Sequence, residues 1–127
     1  MQSVTYSINI NPLKKAFVKL QQFSKHLNTE QEKAGAIQAF EYSFELSWKI
    51  MKRFLSVRGR EANSPREVFR IAALEKFIED PEVWFDFLEK RNLTVHTYQE
   101  NEAEAVISVL PLFVTEVEKL IAILEKL

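Results

Sequence analysis

The chain has 127 residues, 46% of them hydrophobic, enough for one domain with a core of its own and too few for two. Two Gly and four Pro leave few tight turns for a many-stranded β protein, and the lack of cysteine excludes disulfide staples, thiolate nucleophiles and Cys-ligated zinc. A net charge of −1 argues against broad, sequence-independent attraction to nucleic acid.

Residues 1–10 carry neither the basic region nor the continuous apolar run of a secretory signal. Asn11 followed by Pro12 reads as an N-cap and first helical position, predicting a helix over about 12–27 with Leu13, Phe17, Leu20 and Leu27 on one face. His26 near its end is expected to complement the helix dipole, with no functional role. After the polar Asn28-Thr29, a second helix over roughly 30–57 carries two apolar stripes. One holds Ile37, Phe40, Phe44, Trp48, Met51 and Leu55, and the other Leu46, Ile50, Phe54 and Val57. A helix so wrapped is either central to a bundle or shared between core and partner, and Trp48 on it is expected to be buried.

Gly59 suits the left-handed residue that ends this helix, and Ser64-Pro65-Arg66-Glu67 is a capping box that opens a third, stopping near Phe77. Asp80-Pro81 repeats the cap-then-Pro signature for a fourth helix bearing Val83, Trp84, Phe87 and Leu88. Asn92, Thr94, Val95 and Thr97 weaken helical propensity at its end, predicting a bend or break. From Asn101, with Glu104 as a further capping box, a fifth helix carries Val106, Leu110, Phe113, Val117, Leu120 and Leu124, kinked at Pro111. The longest apolar run, Val109 to Val114, is far short of a bilayer span. No segment alternates with period two, so the expected fold is all-α: a single domain over 1–127, an antiparallel bundle of about five helices, cytoplasmic and not membrane-bound.

Chemistry concentrates in residues 91–98, Arg91-Asn92-Leu93-Thr94-Val95-His96-Thr97-Tyr98, where a fixed cation, an imidazole and a phenol lie within eight residues. On a regular helix positions five apart sit about 140° apart, so Arg91 and His96 need a distortion or a second subunit to converge. A buried, hydrogen-bonded structural histidine is the plain alternative for His96. If the substrate is an RNA phosphodiester, a neutral imidazole can take the 2′-hydroxyl proton while Arg91 stabilises charge building on the phosphoryl oxygens, with no metal or cofactor required. In-line cleavage also needs a proton donor on the leaving-group side. A two-fold dimer supplies it as a second His96. Tyr98 either hydrogen-bonds substrate, offers a phenol for covalent modification, or packs one edge and wets its hydroxyl.

Two other features stay open. Glu41, Glu45 and Lys49 share one side of the second helix, a spacing that fits an acid/base or metal-binding pair less well than an ordinary helix ion pair. Residues 49–70 hold seven basic residues (Lys49, Lys52, Arg53, Arg58, Arg60, Arg66, Arg70) against Glu61 and Glu67. That is either a local anion-binding surface or a solvated helix end and loop.

The stretch Phe40-Glu41-Tyr42-Ser43-Phe44-Glu45-Leu46-Ser47-Trp48-Lys49, the Ser64-Pro65-Arg66 cap with Val68-Phe69-Arg70 behind it, Glu82-Val83-Trp84 and the 91–98 octet together resemble the HEPN family. The likeness, over about residues 10–125, is to its branch of nucleotidyltransferase substrate-binding proteins, or HepT-like toxins. It implies a dimeric helical bundle encoded beside a small nucleotidyltransferase, in a toxin–antitoxin pair. It also implies that Arg91 and His96 are the catalytic pair of an endoribonuclease and that Tyr98 is the tyrosine the partner adenylylates to silence it. Asn92 corresponds to a polar position with a substrate-facing or structural role, and Glu45 to an acidic residue that orients the Arg. Two rival readings remain: a non-catalytic subunit that binds substrate for the nucleotidyltransferase, and a helical adaptor whose octet only ends the fourth helix.

Overall fold

The computed structural model describes residues 7–127, so residues 1–6 of the N-terminal stretch lie outside it. Among the described residues there are six α-helices, one short 3-10 turn and no strands. They are α1 (Asn11–Ser24), α2 (Glu30–Val57), α3 (Pro65–Leu74), α4 (Pro81–Leu93), α5 (Glu100–Ser108) and α6 (Leu110–Glu125), with the 3-10 turn at Thr94–His96.

Proline and cap chemistry set most starts. Ser64 Oγ accepts the Glu67 N–H at 3.3 Å and Asp80 Oδ1 accepts the Glu82 N–H at 2.9 Å, each ahead of a proline that needs no partner. The reciprocal Glu67 carboxylate takes the N–H of Asn63, one residue outside the expected box. The full capping box lies instead at the start of α2, where Thr29 and Glu32 cap one another. There the Thr29 N–H holds the Glu32 carboxyl below its usual range. Its support of the helix is therefore present above the ordinary Glu value and lost as pH falls through the lowered one. At α1 the cap is Ile10, without a side-chain bond, and Asn11 is already helical. The helix also ends at Ser24, leaving His26 exposed beyond it.

Two helices end alike. Gly59, at φ 76°, follows α2, with Arg60 N–H donating to Leu55 C=O at 2.8 Å and Gly59 N–H to Ser56 C=O at 2.9 Å. After α3 the same pair of bonds forms around Lys76, at φ 65°, which stops that helix at Leu74 rather than near Phe77. A lysine in this conformation carries about 1 kcal/mol of strain, so Lys76→Gly is expected to stabilise the fold by about 0.5 kcal/mol after the unfolded-state entropy of glycine is subtracted. A denaturant midpoint that falls would contradict this.

α2 is the central element, packing on α1, α3, α4 and α5. Side-chain pairs fix the directions. Lys14 meets Glu125 and Arg91 meets Glu45 while Thr94 meets Glu41, so α1 opposes α6 and α4 opposes α2. Phe40 against Phe113, with Lys33 against Glu104, sets α5 and α6 running with α2. The result is an up-down-up-down bundle of α1, α2, α4 and the α5–α6 pair. α3 departs from the expected antiparallel order: Phe69 faces Phe44, and Phe77 beyond its end faces Phe54, so it runs the same way as α2. Residues 58–64 make this possible by returning along the bundle, with Ala62 buried. The expected kink at Pro111 is a break at Val109, and Pro111 then sits in the first turn of α6, where its missing N–H costs nothing. Five expected helices thus become six.

The core is aromatic. Trp84, Phe40, Phe44, Phe54, Phe69, Phe77, Phe87 and Phe113 are all fully buried and linked by edge-on and tilted ring contacts. Trp48 is not among them; it is half-buried against the edge of this core. Among the described residues no helix is long and apolar enough to cross a membrane.

Candidate functional site

The site forms where the C-terminal end of α4 crosses the middle of α2. Glu41 and Glu45 stand one turn apart on α2, and because α4 runs the other way they meet Thr94 and Arg91 respectively. Glu45 Oε1 lies 2.9 Å from Arg91 Nε, an ion-pair contact bent away from hydrogen-bond alignment, with the two side chains 29% and 34% exposed. Its other oxygen accepts the Trp48 indole N–H at 3.1 Å and lies 3.9 Å from Lys49 Nζ. Trp48 and Lys49 therefore hold the carboxylate, and the carboxylate holds the guanidinium by its Nε edge. The terminal nitrogens of Arg91 have no hydrogen-bond acceptor among the described residues, which leaves the fork available to an anion.

The Thr94 hydroxyl has one proton to share between two acceptors, the Glu41 carboxylate and, at 2.6 Å, the Arg91 carbonyl. This caps the end of α4 and passes the chain into the 3-10 turn, the break the β-branched residues foretold. Thr97 Oγ1 donates to Thr94 C=O at 3.1 Å and Gln99 N–H to His96 C=O at 3.0 Å, closing a tight corner. His96 projects from this corner into solvent, so the buried structural histidine is excluded. Tyr98 is 80% exposed and stands edge-on to the imidazole, with ring centroids 6.2 Å apart. Asn92 is exposed on the last turn of α4, and no hydrogen bond of its side chain is formed among the described residues.

The fold thus joins Arg91 to Glu45 and His96 to Tyr98, all at one end of α4. Among the described residues no hydrogen bond or ring contact links Arg91 to His96 within one chain. Sequence reasoning weighed Glu41 only as a pair with Glu45, apart from residues 91–98, and missed Trp48 and Thr94 as members of the site. Their signal was present: Glu41 and Glu45 alternate with Phe40, Phe44 and Leu46 on α2, and carboxylates beside an apolar stripe call for donors from a neighbouring helix. Among the described residues no group of three or more His, Asp or Glu is placed to hold a metal ion.

Known proteins share this architecture. A family model described as "Nucleotidyltransferase substrate binding protein like" matches residues 8–126. The chain is 32% identical over 130 residues to a Haemophilus influenzae protein named "Probable ribonuclease HepT", covering 89% of each. Among solved structures it superposes with TM-score 0.82 and 31% identity on a Haemophilus influenzae protein, covering 92% of this chain and 99% of that one. That structure is described as revealing the fold of a substrate-binding domain of a nucleotidyltransferase. A protein of Thermus thermophilus superposes with TM-score 0.81 at 32% identity, over 87% of this chain and 96% of its own. The chain belongs to the nucleotidyltransferase substrate-binding protein family, the HEPN-like group that its α2 and 91–98 motifs resemble.

Proposed function

We propose that this protein is a HepT-like endoribonuclease that works as a symmetric pair, with Arg91 and His96 of both copies gathered at one cleft. The observation that carries this reading is the pre-held Arg91: Glu45 grips its Nε edge while the fork and the nearby His96 both reach solvent. In the reaction one His96 takes the 2′-hydroxyl proton, the 2′-oxygen attacks phosphorus, and the 5′-oxygen leaves with a proton from the second His96. Arg91 stabilises the non-bridging oxygens. The products are a 2′,3′-cyclic phosphate and a 5′-hydroxyl, and no metal ion takes part.

In this reading a small nucleotidyltransferase, encoded nearby as the antitoxin, transfers AMP from ATP to the Tyr98 phenol and releases pyrophosphate. With the two rings edge-on at 6.2 Å between centroids, an adenylylated Tyr98 crowds the imidazole and adds negative charge where an RNA phosphate must sit. Purified protein incubated with RNA in EDTA is expected to give cyclic-phosphate ends, and His96→Ala to slow this by about a hundredfold or more. Cleavage at an unchanged rate in His96→Ala rejects the mechanism. AMP addition seen by intact mass in the presence of the nucleotidyltransferase and ATP should disappear in Tyr98→Phe.

A second reading follows from the family description and the superposed Haemophilus structure: a non-catalytic subunit that presents substrate to the nucleotidyltransferase. RNA left intact at every protein concentration, together with stable binding to the nucleotidyltransferase, favours it.

A further inference from the structure

α3 carries Arg66 and Arg70 one turn apart, and both guanidinium groups rest over the ring of Phe85 on α4, at 5.1 and 5.6 Å from its centroid. Like charges at this spacing repel one another, and the acidic residues adjacent to Arg66 and to Phe85 in sequence, Glu67 and Asp86, are engaged elsewhere. Glu67 accepts the Asn63 N–H at 3.0 Å, and Asp86 pairs with Lys90 at 2.8 Å. Neither arginine has an acidic partner among the described residues, and both are exposed. Phe85 is itself braced by Phe69, with ring centroids 6.3 Å apart, so the platform under the two cations is fixed by the core. The ring's negative face attracts both cations without taking up their N–H donors, which leaves those donors available to a planar or tetrahedral anion.

We propose that Arg66 and Arg70 are a second phosphate-binding clamp, which holds the sugar-phosphate backbone of a single-stranded RNA next to the Arg91 site. Phe85 and Arg91 are six residues apart on α4, about 9 Å of helical rise and about 120° around its axis, so a strand that follows the α4 surface from one to the other must pass partly around the helix. The contacts are to backbone, and the clamp therefore contributes affinity and register without base preference. This clamp rests on the reading of the protein as RNA-binding, and does not need the cleavage step.

Fluorescence anisotropy with a labelled single-stranded RNA tests it in the His96→Ala protein, where the RNA stays intact. Arg66→Gln/Arg70→Gln is expected to weaken binding about tenfold at low salt and to lower the log–log salt slope by about 1.4, at about 0.7 per phosphate for a single strand. Arg66→Lys/Arg70→Lys should keep most of that slope, since it keeps the charge. A thermal melt of the Gln variant, expected to match the parent, checks that it remains folded. An unchanged affinity and slope in the folded Gln variant overturns the clamp. So does a loss of binding to the nucleotidyltransferase with RNA binding intact, which assigns the patch to an acidic protein surface. No RNA binding by the parent protein overturns both the clamp and the RNA reading, whereas RNA binding without cleavage by the unsubstituted protein defeats the nuclease alone.

Discussion

Replacing Trp84 with alanine is expected to cost about 3–5 kcal/mol, a large part of what holds a domain of this size folded. Its side chain is 1% exposed, and its ring lies 5.4 Å from Phe69, 5.2 Å from Phe87 and 6.1 Å from Phe113. These three rings come from α3, α4 and α6, so the cavity would open where three helices meet and none can close in without moving its own aromatic. Denaturant melts measure the loss; a value below about 2 kcal/mol would mean that the cluster repacks. Trp48→Ala should cost less, because Trp48 sits at the core's edge and its indole N–H serves Glu45.

The two tryptophans show where helical periodicity is legible and where it misleads. A stripe built by steps of four drifts about 40° each time, so Phe40 and Phe44 face the core while Trp48, one step on, has walked toward the edge. Met51 and Leu55 return to the buried face because the next step is three. The starts of α3 and α4 were legible for a local reason: Ser64 and Asp80 cap the turns beside them, and the prolines that follow can only sit early in a helix, whereas the capping box expected at Asn101 and Glu104 does not form, since α5 starts at Glu100 after Gln99 with no side-chain cap bond. The direction of α3 was not, because it depends on the path of residues 58–64 and on Phe44 meeting Phe69, which no local pattern encodes. Lys76 in a glycine conformation was equally hidden, since its bonds to α3 outweigh the preference of the residue itself.

The same division holds at the site. Arg91, His96 and Tyr98 stood out by residue type alone, and the bend after Leu93 by its β-branched residues. What the sequence did not reveal is why Glu41 and Glu45 lie four apart on α2. Arg91 in the last turn of α4 and Thr94 just past its end lie three apart on the opposing segment, and rises of about 6 and 4.5 Å differ by little enough that each carboxylate receives one donor. The ion pair expected between Glu45 and Lys49 is present but long, at 3.9 Å, and secondary to the Arg91 contact.

The largest expected effects on activity fall on this contact. In the proposed nuclease, Arg91→Ala should lower the maximal cleavage rate by about 10²–10³, the scale for removing one donor aimed at developing phosphoryl charge. Arg91→Lys should recover little, because an ammonium has no Nε edge for Glu45 to hold and no planar fork to offer the phosphate. Glu45→Gln then isolates positioning from folding. The amide oxygen still accepts the Trp48 indole N–H, and at a half-exposed position the stability change should stay within about 1 kcal/mol. Without its charge the grip on Arg91 weakens, so the rate at saturating RNA should fall about tenfold while half-saturation changes little. Single-turnover cleavage against RNA concentration separates these quantities. A Glu45→Gln protein that loses stability but cleaves at the full rate would make Glu45 a structural residue, and a fully active Arg91→Ala would remove Arg91 from the chemistry.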